Sequence, residues 1–145
     1  MEILICDIDG VIADCKHRVN KYLVDKTPKD WDGFFDPNEV KKDKPIKEVI
    51  KLLNNINPEA HVLLLSTRWE RLRSVTEDWL EDNSVDYNEM ILKPDERRCR
   101  AHEFKREVTQ KLLDEGHEII MAIDDSTDNC KMYYDLGIAA LQLKF

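Results

Sequence analysis

The chain has 145 residues, 42% hydrophobic and 36% charged, and a formal net charge of −8. That length fits a single compact domain over residues 1–145 with a core of its own. The negative balance argues against a general nucleic-acid coat or a membrane-surface binder, since both need a cationic field, but it leaves room for a local phosphate-binding site. No apolar run approaches the roughly 20 residues of a membrane span. The opening Met1-Glu2-Ile3 has neither the basic region nor the cleavage signal of a leader. Cys6, Cys15, Cys99 and Cys130 form no Cys-x-x-Cys pair, and they are expected to be reduced thiols in a cytoplasmic protein.

Ile3-Leu4-Ile5-Cys6 is a short apolar run that stops at acids, the pattern of a strand buried on both faces. The stretch from Val11 to Lys44 is polar, with Trp31, Phe34 and Phe35 in its middle. It breaks the later alternation and is expected to be a small flap or cap inserted after the first strand. Pro45 to Asn54 carries Ile46, Val49, Ile50 and Leu53 at helical spacing, with Pro45 suited to the first turn. His61 to Leu65 predicts a second strand, ending at Ser66-Thr67-Arg68. Leu72, Val75, Trp79 and Leu80 mark a helix, and Glu89 to Leu92 a weaker strand. Phe104, Val108, Leu112 and Leu113 predict a helix closed by Gly116. Ile119 to Ile123 is a strong strand ending at Asp124-Asp125. A last helix through Cys130 and Leu136 is closed by Gly137, and Ile138 to Leu143 ends the series. Strands alternating with helices predict an α/β fold, a three-layer sandwich around a mainly parallel sheet, with ligands at the carboxyl ends of the strands.

Three of those strand ends carry polar chemistry. In Asp7-Ile8-Asp9-Gly10, two acids at the mouth of a buried strand suit a hard divalent cation such as Mg²⁺; the competing reading is a solvated acidic turn. A calcium loop is excluded because its later ligands are missing. Asp124 and Asp125 would face the same sheet edge, where clustered carboxylates repel unless a cation offsets them. An N-cap at Asp125 or Ser126 would explain one of these acids but not the group. Ser66-Thr67-Arg68 offers a hydroxyl, a helix N-terminus and a guanidinium to an anion, against simple capping with Arg68 in solvent. By pattern alone Lys105, in Phe104-Lys105-Arg106-Glu107, is a surface lysine.

In this order the motifs resemble the HAD superfamily. Asp7 and Asp9 match its Asp-x-Asp-Gly, Ser66 its second-strand hydroxyl, Lys105 its lysine, and Asp124 and Asp125 its late acidic pair. Nearly the whole chain is similar to the phosphatase domain of phage polynucleotide kinase and its stand-alone relatives. That family has Ser-Gly-Arg where this chain has Ser66-Thr67-Arg68, so a side chain at Thr67 is expected to narrow the phosphate loop. It also carries a Thr shortly before Trp-Leu, as Thr76 to Leu80 does, and an Arg nine residues past the second aspartate, which is Arg18. Its arginine between the third strand and the lysine is out of register here, with Arg98 and Arg100 straddling the place.

The resemblance implies a Mg²⁺-dependent phosphatase. Asp7 would be the nucleophile and Asp9 the general acid and base. Ser66 and Lys105 would hold the phosphoryl oxygens. The metal would be held by Asp7, the backbone carbonyl of Asp9, and Asp124, with Asp125 in support. Arg18, Arg68 and Thr67 would meet the substrate. The implied substrate is a 3′-phosphate on a nucleic-acid end or a nucleotide, with no obligate protein partner and no membrane. Two alternatives stand beside it: a 5′-nucleotidase-like phosphatase of small molecules, and a receiver-like phosphoryl signalling module, against which Asp9 argues. The net charge predicts few contacts beyond the terminal nucleotide.

Overall fold

In the computed structural model of the chain, which describes residues 1–56 and 58–145, five parallel strands form one sheet. They are β1 (Glu2–Cys6), β4 (His61–Trp69), β5 (Glu89–Lys93), β6 (Glu118–Asp124) and β7 (Ala140–Gln142), in the order β5-β4-β1-β6-β7. The period of two in β1 decides the layers. Leu4 and Cys6 turn to one face with Val62 and Leu64, under Val49, Ile50 and Leu53 of α4 (Lys47–Ile56) and Trp79 and Leu80 of α5 (Arg73–Asp82). Ile3 and Ile5 turn to the other with Leu63 and Leu65, under Phe104 of α6 (Ala101–Asp114) and Met132 and Tyr133 of α7 (Thr127–Asp135). Helices therefore cover both faces, as the uninterrupted apolar runs require.

From β1 the chain moves outward to β4 and β5, then crosses back to β6 and β7 on the other side. That reversal next to β1 is the switch point at which doubly wound sheets bind ligands. It puts the ends of β1 and β6 side by side: Cys6 pairs with Ile123, and the Asp7 N–H donates to the Ile123 carbonyl at 3.0 Å.

The segment 11–44 leaves the sheet, and part of it packs into a small apolar cluster with residues 69–75. It contains β2 (Ala13–Asp14), α1 (Lys16–Tyr22), α2 (Trp31–Phe34) and α3 (Pro37–Val40), and β3 (Lys44–Pro45) pairs antiparallel with β2 to close its base. Phe34, Phe35 and Val40 bury themselves with Cys15 against Leu72 and Trp69. Two local expectations are corrected. Pro45 lies in β3, not in the first turn of α4, because the Ile46 N–H is taken by the Ile12 carbonyl at 2.8 Å and helix starts only at Lys47. Ser66-Thr67-Arg68 is not at a helix N-terminus. β4 continues through it to Trp69, with Ser66 opposite Leu92, and α5 begins only after a 3₁₀ turn at Glu70–Leu72. All four cysteines are free. No helix among the described residues is long and apolar enough to cross a membrane.

Candidate active site

Two buried groups of charges meet at the carboxyl edge of the sheet. The first surrounds Asp7, one residue past β1. Asp7 Oδ1 accepts from the Ile8 N–H at 2.8 Å and lies 3.1 Å from Lys105 Nζ. The same ammonium donates to Asp124 Oδ2 at 2.7 Å. Lys105 is 1% exposed. Its place on α6 is set by Phe104, which buries in the core beside it and turns the next residue toward the sheet edge. Burial works against its charge, and the carboxylates of Asp7 and Asp124 more than offset that, so its pKa moves upward. Asp124 also accepts from Asn129 Nδ2 and from the Ser126 N–H.

Carboxylate oxygens of Asp7, Asp124 and Asp125 lie within 4.8 Å of one another. Burial, and then the charge of Asp124, raises the pKa of Asp7 well above the usual carboxylate range. The same two causes push Asp125 up to about 6, although part of its surface meets solvent. Three hard oxygen donors this close, held by one ammonium, fit a small divalent cation. Asn129, whose Nδ2 donates to Asp124, has its Oδ1 buried with no hydrogen-bond partner. Gly10 has φ +81°, and a β-carbon there would overlap the Asp125 carboxylate; the glycine makes room for an acid of the cluster as well as for the turn.

The second group surrounds Asp9. Its side chain does not join the three carboxylates. Arg18 Nη2 donates to it at 2.6 Å and Arg68 Nη2 at 2.8 Å. Both arginines are fully buried. Burial alone would raise the Asp9 pKa; Arg68 and then Arg18 reverse this and hold it well below the usual range. Behind them lies Asp43, also buried. It accepts from Arg18 at 2.9 and 2.7 Å and from Arg68 at 3.1 Å. Arg68 donates in addition to Thr76, Arg18 to the Phe34 carbonyl, and Trp79 Nε1 to the Asp43 carbonyl. The Thr and Trp singled out by the resemblance thus anchor this group. Nothing in the local sequence marks Asp43 or Asn129: each becomes recognisable only from what the fold brings to it.

Ser66 is buried, and its Oγ accepts from the Arg68 N–H at 3.1 Å. Thr67 points the other way, into an open cavity of about 900 Å³ that Ser126 and Asn129 also line. Lys93 and the Arg97–Arg100 segment line that cavity too, while Lys93 takes no part in the buried groups.

The architecture and these strand-end acids define a class, and comparison with known proteins agrees. The fold matches a haloacid dehalogenase-like hydrolase from Streptococcus pneumoniae with a TM-score of 0.69 and 11% identity, over 98% of this chain and 84% of that one. It also matches a HAD family enzyme from Bacteroides thetaiotaomicron, solved with magnesium and inorganic phosphate, with a TM-score of 0.59 and 16% identity over 99% and 94% of the two chains. A structure of the Pnkp1/Rnl/Hen1 complex matches with a TM-score of 0.79 and 19% identity. That match covers 99% of this chain and 46% of the other, so the chain spans about half the length of that relative. No curated protein matches the chain. The chain is a HAD-type phosphatase domain. It belongs to the family of the polynucleotide kinase PNKP phosphatase domain, whose model matches residues 1–145.

Proposed function

We propose that the chain is a Mg²⁺-dependent phosphomonoesterase that removes 3′-phosphates from nucleic-acid ends or nucleotides through an aspartyl-phosphate on Asp7. The observation that carries this reading is the division of the two aspartates: Asp7 sits among carboxylates and one ammonium, while Asp9, two residues on, is held apart by two guanidiniums. A nucleophile must be ionised and a general acid protonated. Burial favours the neutral form of Asp7, and the two arginines favour the ionised form of Asp9. The reading therefore requires a cation beside Asp7 and a loosening of the arginines from Asp9 when substrate enters.

A carboxylate oxygen of Asp7 attacks phosphorus as the bond to the leaving oxygen breaks, and Asp9 gives that oxygen its proton. A water then attacks phosphorus, its proton returns to Asp9, and the bond to Asp7 breaks to release phosphate. Lys105 and Ser66 meet the phosphoryl oxygens, and Lys105 offsets the charge of Asp7 before attack. Asp7, Asp124 and Asp125 would hold Mg²⁺, with the Asp9 carbonyl as a further donor; the ion supplies neutralisation of charge on the transferring group. Arg18 and Arg68 fix the Asp9 carboxylate and keep it ionised, the form required to take a proton from water. Asp43 shares both arginines, and for Asp9 to act first as the acid their hold on it must loosen. Contact of Arg18, Arg68 and Thr67 with the substrate phosphate is part of this reading; for the arginines it requires that they turn partly from Asp9 or Asp43 as the phosphate enters.

The test is a comparison of kcat/KM with Mg²⁺ for a 3′-mononucleotide, a 3′-phosphorylated oligonucleotide, a 5′-mononucleotide and a sugar phosphate. Preference for the first two is expected. Preference for the 5′-nucleotide or the sugar would overturn the substrate, and failure to trap phosphate on Asp7 by acid quench would overturn the intermediate.

A further inference from the structure

Asp43, at the back of the Asp9 group, also meets a histidine that the mechanism does not use. Arg18 Nη2 and Arg68 Nη2 share its Oδ2 at 2.7 and 3.1 Å. Its Oδ1 is shared by Arg18 Nε at 2.9 Å and His17 Nε2 at 2.8 Å. These are the donors to the Asp43 carboxylate among the described residues. Both arginine side chains and the Asp43 carboxylate are 0% exposed, whereas the His17 side chain is 37% exposed on α1. Of these donors, His17 alone can exchange a proton with water.

Asp43 is a carboxylate between two guanidiniums, so the Nε2 of His17 must carry a proton to donate to it. In the neutral ring Nδ1 then presents a lone pair to Glu39 Oε2, 3.8 Å away. A proton from solvent turns that lone pair into an N–H toward Glu39 and adds a positive charge beside Asp43. Imidazole is the side chain suited to such a change near neutral pH. The charged groups around the ring are Glu39 of α3, Lys42 and Asp43 of the segment after it, and Arg18 and Lys21 of its own helix. Lys21 and Lys42 are engaged by Glu39, at 3.2 and 3.5 Å. Arg18 is divided between Asp9 and Asp43, and from α2 the Phe34 carbonyl takes it at 2.9 Å.

An entering phosphate must draw Arg18 and Arg68 partly away from Asp9 or Asp43. A buried carboxylate that loses its partners is strongly destabilising unless another charge replaces them. We propose that His17 is a positioning residue for this step: its protonated ring becomes the counter-ion of Asp43 and lets both arginines turn to a phosphate dianion. The proton comes from solvent and is held at Nδ1 as the anion binds. Proton uptake and anion binding then favour each other, because coupling between two sites is reciprocal. His17 acts through Asp43 and not on the reacting atoms. The inference rests on the reading above in which the arginines meet the substrate phosphate.

In the test, sulfate binding is measured by calorimetry with saturating Mg²⁺ from about pH 5.5 to about pH 8, the range in which an imidazole changes charge. Sulfate stays a dianion throughout, so the ligand's own titration does not enter. Three forms are compared at each pH: wild type, His17→Gln, which keeps an N–H donor without the charge, and His17→Lys, which keeps the charge. Relative to His17→Gln, the wild type is expected to bind about fivefold more tightly at the acid end and equally at the alkaline end. His17→Lys should keep the tight binding up to the alkaline end. With a phosphate ester the same pattern should appear in KM, with kcat changing less. His117→Gln, just before β6 at the opposite edge of the sheet, should follow the wild type. A ratio of wild type to His17→Gln that is constant with pH would give His17 a structural role alone and overturn the proposal. So would a His17→Lys protein that behaves like His17→Gln, or sulfate that no form binds. Absence of turnover on every phosphate ester would overturn the phosphatase reading, and the sulfate comparison would still decide the role of His17.

Discussion

Around Asp7, three clustered carboxylates face one ammonium; around Asp9, two carboxylates face two guanidiniums. In the first group burial, and then the charge of Asp124, raises the carboxyl pKa values of Asp7 and Asp125. The second is balanced, and Asp9 is correspondingly easy to ionise. One group gathers three carboxylates that could hold a cation, whereas the other matches two carboxylates with two guanidiniums and positions Asp9. Two residues apart in sequence, Asp7 and Asp9 differ because they meet different partners: Lys105 at Asp7, and Arg18 and Arg68 at Asp9.

The contrast can be broken hardest at Asp7. Asp7→Asn should lower turnover by about 10⁴-fold or more, as nucleophile removal does elsewhere, and chelation of Mg²⁺ should silence the wild type reversibly. Turnover by the asparagine variant within tenfold of wild type would remove Asp7 from the mechanism. Lys105→Ala should follow, at about 10²–10³-fold in kcat. Lys93→Ala should cost much less; the reverse ranking would mean that the catalytic lysine lies on the other segment.

On the balanced side, Asp43→Ala leaves two buried guanidiniums short of a partner. Urea unfolding is expected to show a loss of about 3–5 kcal/mol, the usual result of breaking a buried pair. A loss under 1 kcal/mol would mean that Asp9 alone neutralises both arginines.

The smallest effect sharpens the contrast at Asp125. A carboxyl whose folded pKa is raised adds stability when protonated and loses it as pH rises from its unfolded value of about 3.9 through its folded value. For Asp125 that window runs up to about 6. In metal-free protein the melting temperature of Asp125→Asn should therefore gain on that of wild type between pH 4 and 6, and Mg²⁺ should narrow the gap at neutral pH. A gap that shrinks with rising pH in metal-free protein has the wrong sign for this account.

The strand ends were legible because the signal is local. Ile3–Cys6 and Ile119–Ile123 are apolar on both faces and stop at acids, and a buried strand followed by polar residues marks the ligand edge wherever the sheet is parallel. Gly116 and Gly137, with φ +87° and +80°, end the last two long helices where their sequence placed them. Ser66-Thr67-Arg68 was misread as a helix start because β4 carries its alternation on through polar residues: buried Ser66, half-exposed Thr67, buried Arg68. Lys105 shows the limit more clearly. Its neighbours are charged and its helix is amphipathic, so only the motif order singled it out; burial came from Phe104 and from two acids on other elements.

The sequence by itself determined the alternation of strands and helices, the acids that close β1 and β6, and the polar insertion between β1 and α4, because each is encoded in side chains adjacent along the chain. The tertiary structure decided which charges meet. Arg18 comes from the flap, Arg68 from the end of β4, and Asp43 from the return to α4, and no local pattern links the three. They are brought together by the Ala13–Pro45 pairing at the flap base and by the packing of Phe34 and Phe35 with Leu72 and Trp69. Those contacts are long-range, and a buried charge takes its state from whatever the fold sets within a few ångströms of it.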